Sequence, residues 1–168
     1  VEHPVTECVT GLDLVECMLR VAADESIDWA RLAQAPQGAA IEVRLYAESP
    51  LKNFQPSPGV LTDVFFPDGV RIDSGVTTGS EVSAYYDPMI AKLIVHAATR
   101  REALDKLHVA LNATRLHGIT TNLDYLRQIT SSAAFVSGTA WTRMLDSLEP
   151  ESAVIEVLQP GTWSSIQD

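Results

Sequence analysis

The segment Val1-Glu2-His3-Pro4-Val5-Thr6-Glu7 sets a carboxylate and an imidazole directly in front of a proline. Proline locks its own φ at about −65° and pushes the preceding residue, His3, towards an extended backbone, so side chains here are held still. Glu2 is thus a candidate general base whose surroundings can tune its proton affinity, and His3 a candidate proton carrier. Both residue types serve equally as solvated or structural groups. Arg44 lies between Glu42 and Tyr46, and its planar, permanently charged guanidinium suits either a bound anion or a cross-strand salt bridge. In Tyr85-Tyr86-Asp87-Pro88 two phenols and a carboxylate precede a proline. Asp87 there suits the orientation of an arginine, or an Asx-type turn flanked by two packed aromatics. Lys92, just before Leu93-Ile94-Val95, suits a snorkelling side chain or an anion contact.

The elements that must position these groups are readable from periodicity. Thr10 and Asp13 form a capping-box-like start, and Leu12, Val15, Met18, Leu19 and Ala22 recur at helical spacing, predicting a helix that ends near Ala23. Residues 24–38 form an irregular excursion, with a helical turn around residues 28–32. From Ala40 the period changes to two, with Ile41, Val43, Leu45 and Ala47 on one face and Glu42, Arg44, Tyr46 and Glu48 on the other. Residues 49–59 contain Pro50, Pro56, Pro58 and Gly59 and read as a stiff loop. Residues 60–66 and 70–73, joined by Pro67-Asp68-Gly69, read as a hairpin. Extended stretches at 81–86 and 89–96 follow. Thr99 and Glu102 make a capping box for a long helix that Gly118 closes, and shorter helices are predicted over 122–129 and 139–148. Strands in the middle and helices at the ends predict an α+β fold, an antiparallel sheet with flanking helices. Pro150 to Ser152 marks a boundary, after which Val154 to Leu158 resumes as a strand turned by Pro160-Gly161.

The 168 residues carry 46% hydrophobic side chains, enough for one sizeable core. With 12 basic against 22 acidic residues, a net charge of −10 opposes a phosphate-backbone partner, so no nucleic acid is expected. No apolar run reaches the roughly 20 residues of a membrane span and no secretory leader opens the chain, which points to a cytoplasmic protein without membrane contact. The abrupt opening reads as a piece of a longer polypeptide. Cys8 and Cys17 lack CxxC spacing and read as reduced, buried thiols. His3, His96, His108 and His117 lack ligand spacing, so no metal site is expected within the segment. Phosphate-loop, dinucleotide, zincin and nucleophile-elbow motifs are all absent from the sequence.

Taken in order, Glu2-His3-Pro4-Val5-Thr6-Glu7, Ile41-Glu42-Val43-Arg44-Leu45-Tyr46-Ala47-Glu48, Phe54-Gln55-Pro56-Ser57-Pro58-Gly59 and Tyr85-Tyr86-Asp87-Pro88-Met89-Ile90-Ala91-Lys92-Leu93 resemble biotin carboxylase, as does Gly118-Ile119-Thr120-Thr121-Asn122. The resemblance covers about residues 1–148. It implies the C-terminal part of an ATP-grasp carboxylase, which uses ATP with Mg²⁺ and bicarbonate to carboxylate the ureido nitrogen of biotin. Glu2 matches the base that acts on bicarbonate, and Val1 the backbone lining the bicarbonate site. Arg44 matches the arginine that steadies the biotin enolate oxygen, Asp87 the carboxylate that orients it, and His3 and Tyr86 lie beside these matched positions as supporting residues. ATP-binding residues are expected upstream, so residues 1–168 alone are expected to be inactive.

The stretch Ile155 to Asp168, together with Pro50-Leu51-Lys52-Asn53-Phe54 and Thr78-Gly79-Ser80-Glu81-Val82, resembles the subgroup of urea carboxylase and urea amidolyase. That likeness implies residues 1–150 as the carboxylase part and 151–168 as a linker and first strand of a carboxyltransferase domain. Implied partners are upstream ATP-grasp domains, a biotin carboxyl carrier domain, the carboxyltransferase domain, bicarbonate, urea and a possible homodimer, with allophanate as product. Acyl-CoA, pyruvate or guanidine carboxylases share the chemistry. A non-catalytic binding or dimerisation module is the alternative of another class.

Overall fold

The computed structural model describes residues 2–28, 30, 35–151, 154–159 and 162–167. Val1, most of the turn predicted at 28–32, and Pro160-Gly161 lie outside these. The described residues form two compact units, one of residues 1–44, 65–76 and 90–115, the other of 45–64, 77–89 and 116–168. Helix and antiparallel strand are mixed throughout, the α+β class that the pattern predicts. Among the described residues no helix is long and apolar enough to cross a membrane.

The first unit is built on a three-stranded sheet in the order Ala39–Tyr46, Met89–Ala97, Arg71–Ser74. Alternation along Ala39–Tyr46 is what period two dictates: Ile41, Val43 and Leu45 are buried and Glu42, Arg44 and Tyr46 half-buried. Met89–Ala97 buries five of its nine residues, Ile90, Ala91, Leu93, Ile94 and Val95, as a central strand covered on both faces must. The helix Arg100–Ala113 starts at the expected capping box, with Thr99 accepting from the Glu102 backbone and Glu102 from the Thr99 backbone. Its buried stripe is Ala103, Leu104, Leu107, Ala110 and Leu111. Leu107 is fully buried, so Leu107→Ala should destabilise the fold by about 2–5 kcal/mol, read as a lower midpoint in urea unfolding.

In the second unit Asn122 stands in for a strand partner. Its Oδ1 accepts from the Tyr46 backbone N–H at 2.9 Å while its own N–H donates to the Tyr46 carbonyl at 3.1 Å. Gly118, with φ of 101°, lets Arg115–His117 come close to the chain at Val60 to Thr62. A Cβ there would sit 2.2 Å from the Val60 oxygen and 2.8 Å from the Thr62 nitrogen, and Thr62 N–H donates to the His117 carbonyl. Asn53 and Phe54 both take positive φ, and the Phe54 ring lies 5.5 Å from that of Tyr125.

Several elements differ from expectation. Pro4–Thr10, for which no helix is predicted, is helical, with Pro4 at the first turn, where its missing N–H costs nothing. His3 keeps a non-helical φ of −129°, so the restriction before proline holds for that residue alone. Helix Leu14–Ala22 is capped by Asp13, which accepts from the Glu16 N–H. No hairpin joins 60–66 to 70–73, because Arg71–Ser74 pairs antiparallel with Met89–Ala97 while Gly59–Val60 and Asp63–Phe65 pair with Glu81–Val82 and Arg115–His117. Helix Arg100–Ala113 ends at extended Thr114 rather than at Gly118. The helix predicted over 139–148 is a 3-10 helix at Thr142–Ser147, and a short helix that is not predicted precedes it at Ala133–Ser137, stopped by Gly138. Past Pro150, Val154–Gln159 pairs antiparallel with Thr162–Gln167, so the strand expected at 154–158 is one half of a hairpin. Cys8 and Cys17 are free thiols but only half-buried.

Candidate functional site

The polar face of the three-stranded sheet carries the predicted arginine, and sheet geometry explains its neighbours. Glu42 and Arg44 share that face at i, i+2, as do Arg71 and Asp73 on another strand. Lys92 on the middle strand is directly opposite Asp73 in register. Glu2 and Glu7 arrive from the N-terminal segment, Glu7 on the short helix that Pro4 starts.

Together these seven side chains alternate in sign without a break. Arg44 Nε donates to Glu42 Oε1 at 3.0 Å and Arg44 Nη2 to Glu2 Oε2 at 3.2 Å. Glu2 Oε1 faces Lys92 Nζ at 4.0 Å, and Lys92 Nζ lies 3.6 Å from Asp73 Oδ2. Arg71 holds Asp73 through both carboxylate oxygens, at 2.9 and 3.0 Å, and donates to Glu7 Oε2 at 2.9 Å. The remaining Glu7 oxygen accepts from the Leu14 N–H, which ties the first helix to the start of the second. The Lys92 side chain is 14% exposed, that of Arg44 41% and that of Glu2 52%. Exposed pairs contribute at most about 1 kcal/mol each, so the array orients these groups more than it stabilises the fold.

Hydrogen bonds from Arg71 hold the Asp73 carboxyl below the usual carboxylate range, with Lys92 adding to the effect against partial burial. The same bonds raise the Arg71 guanidinium further. A depressed folded-state value means that ionised Asp73 supports the fold above the ordinary carboxylate value of about 3.9 and that this support is lost as pH falls through the folded value. Asp73→Asn should therefore cost about 1 kcal/mol at neutral pH. The gap from wild type should close as urea unfolding is repeated at progressively lower pH below about 4.

Glu2 and Arg44, predicted from residue type, are brought into direct contact. His3 is exposed and its carbonyl accepts from the Glu7 N–H at the helix start. Val1 lies outside the described residues. Asp87 and Tyr86 belong to the second unit. There Asp87 Oδ1 accepts from the Met89 N–H, the expected Asx-type bond. Burial, reinforced by Asp87, raises the Glu48 carboxyl above the usual carboxylate range. Tyr85 and Tyr86 are 93% and 82% exposed, so the packed aromatics of the turn reading are not found. The predictions missed Asp73, Arg71 and Glu7, and treated Lys92 as an isolated side chain. The signal available was the i, i+2 spacing of Arg71 and Asp73, which puts both on one strand face without saying which strand they meet.

A mixed sheet-and-helix fold with an arginine-glutamate pair on its polar face defines a class, and comparison with known proteins identifies it. The profile described as Biotin carboxylase C-terminal domain matches residues 42–147, and the chain belongs to that family. Residues 1–30 match the profile described as Carbamoyl-phosphate synthase L chain, ATP binding domain. The urea amidolyase of Lachancea kluyveri is 51% identical over 168 residues, covering 100% of this chain and 9% of the relative. The mitochondrial propionyl-CoA carboxylase alpha chain of Caenorhabditis briggsae is 45% identical over 155 residues, 90% of this chain and 21% of the relative. The crystal structure of the Kluyveromyces lactis urea carboxylase superposes with a TM-score of 0.87 at 53% identity, covering 96% of this chain and 14% of that one. The chain thus spans a small fraction of the length of these proteins.

Proposed function

We propose that the chain is the C-terminal part of the biotin carboxylase component of a urea carboxylase, which uses ATP and bicarbonate to carboxylate biotin for transfer to urea, giving allophanate. The observation that carries the choice of urea is the extent of the match. Likeness to urea amidolyase runs through all 168 residues, including those past Pro150, whereas likeness to the acyl-CoA enzyme covers 155. In this reading residues 1–150 complete the carboxylase domain and 151–168 lead into a carboxyltransferase domain.

The residues present suit an anionic substrate and a carbonyl oxygen that gains charge. The Arg44 guanidinium is held by Glu42 and Glu2 yet its side chain is 41% exposed, so a substrate oxygen can reach it. When bound, biotin supplies the nitrogen that takes up the carboxyl group. Glu2, half-exposed beside Arg44, accepts the bicarbonate proton, and Arg44 stabilises charge developing on the ureido oxygen at little reorganisation cost. ATP and its Mg²⁺ are held by residues upstream of Glu2. The roles that the resemblance implies for Val1, His3, Tyr86 and Asp87 belong to the same proposal.

The test is ATP cleavage by the full-length polypeptide. Cleavage is expected to require bicarbonate, to rise with biotin and to yield allophanate with urea. Turnover with an acyl-CoA but not with urea would reject the substrate, and a full-length protein that never cleaves ATP would favour the non-catalytic module.

A further inference from the structure

Glu2 has a positioning problem that its own segment does not solve. It precedes the helix Pro4–Thr10, its side chain is 52% exposed, and its hydrogen-bonded side-chain partner is Arg44. In the proposed reaction Arg44 also serves a substrate oxygen that gains negative charge, so its compensation of the Glu2 charge is shared at the moment the base is needed. A second cation has to remain.

Lys92 is built for that duty. Its ammonium faces the Glu2 oxygen that Arg44 does not contact. It stands on the middle strand with only 14% of its side chain exposed, so it cannot swing out to follow a substrate. Behind it Asp73 is clamped by both forks of Arg71, and Arg71 is anchored in turn to Glu7 on the helix that follows Glu2. The relay is closed, because the segment that carries Glu2 is tied to the same Asp73-Arg71 pair that holds Lys92. A base displaced by about 1 Å can cost up to about 10²-fold in rate, so such a brace has a kinetic consequence.

We propose that Lys92, backed by Asp73 and Arg71, is the positioning residue that keeps the Glu2 carboxylate aligned and charge-compensated when Arg44 engages substrate. This rests on Glu2 being the base. The experiment is a double-mutant cycle in the full-length enzyme, measuring bicarbonate-dependent ATP cleavage in Lys92→Met, Glu2→Gln and the pair. Lys92→Met should lower kcat about tenfold with KM for ATP and the thermal midpoint nearly unchanged, and Lys92→Arg should recover most of the loss. In the Glu2→Gln background the Lys92 substitution should cost little more. Full activity in Lys92→Met, or the same tenfold loss whether or not Glu2 is present, overturns the positioning role while leaving Glu2 as the base. Full activity in Glu2→Gln overturns both readings together.

Discussion

Glu2→Gln in the full-length enzyme is expected to slow bicarbonate-dependent ATP cleavage by about 10²-fold or more while leaving the affinity for nucleotide nearly unchanged. General-base catalysis by a positioned side chain typically contributes about 10²–10⁴-fold. Glutamine keeps the shape and an oxygen that can still accept from Arg44 Nη2, so the variant removes the basic charge and little else. The Glu2 side chain is 52% exposed and its ion pairs contribute at most about 1 kcal/mol each, so the fold should persist and the loss be read in kcat. Single-turnover cleavage with bicarbonate, beside a nucleotide-binding titration, separates the outcomes. Undiminished turnover would remove Glu2 from the chemistry, and a parallel loss of nucleotide affinity would mark it as structural.

How much of this was legible in the sequence follows from the range of each interaction. The helix Arg100–Ala113 is announced by Thr99 and Glu102, three residues apart, and strand Ala39–Tyr46 by its own alternation. Pairing partners are another matter. Pro67-Asp68-Gly69 is good hairpin chemistry, yet Arg71–Ser74 pairs with Met89–Ala97 and Asp63–Phe65 with Arg115–His117, and nothing local in these segments encodes that choice. The helix Pro4–Thr10 escapes for a similar reason: seven residues are too few to be stable from propensity alone, and Glu7 ties them to Arg71, distant in the chain. The site divides along the same line. Glu2 and Arg44 stand out by residue type and surrounding motif. Lys92, Asp73 and Arg71 become a unit only once register places Lys92 opposite Asp73.

Arg44→Ala should reduce carboxylation of biotin by about 10²–10³-fold, the effect of deleting one preorganised donor aimed at developing negative charge. The geometry also predicts that Arg44→Lys recovers little. Arg44 uses Nε to grip Glu42 and Nη2 to reach Glu2, two directions from one planar group, and an ammonium on a flexible stem cannot hold both while presenting a third donor. Glu42, with its side chain 15% exposed, would then be left half-buried with a poorer partner. The two site variants should differ in kind, because in the proposed reaction Glu2 acts on bicarbonate and Arg44 on the biotin oxygen. Arg44→Ala should retain more of the bicarbonate-dependent ATP cleavage than Glu2→Gln does, while losing biotin carboxylation at least as severely. Equal losses in both assays for both variants would mean that the pair works as a single structural salt bridge, and that the division of labour drawn from their separate contacts is wrong.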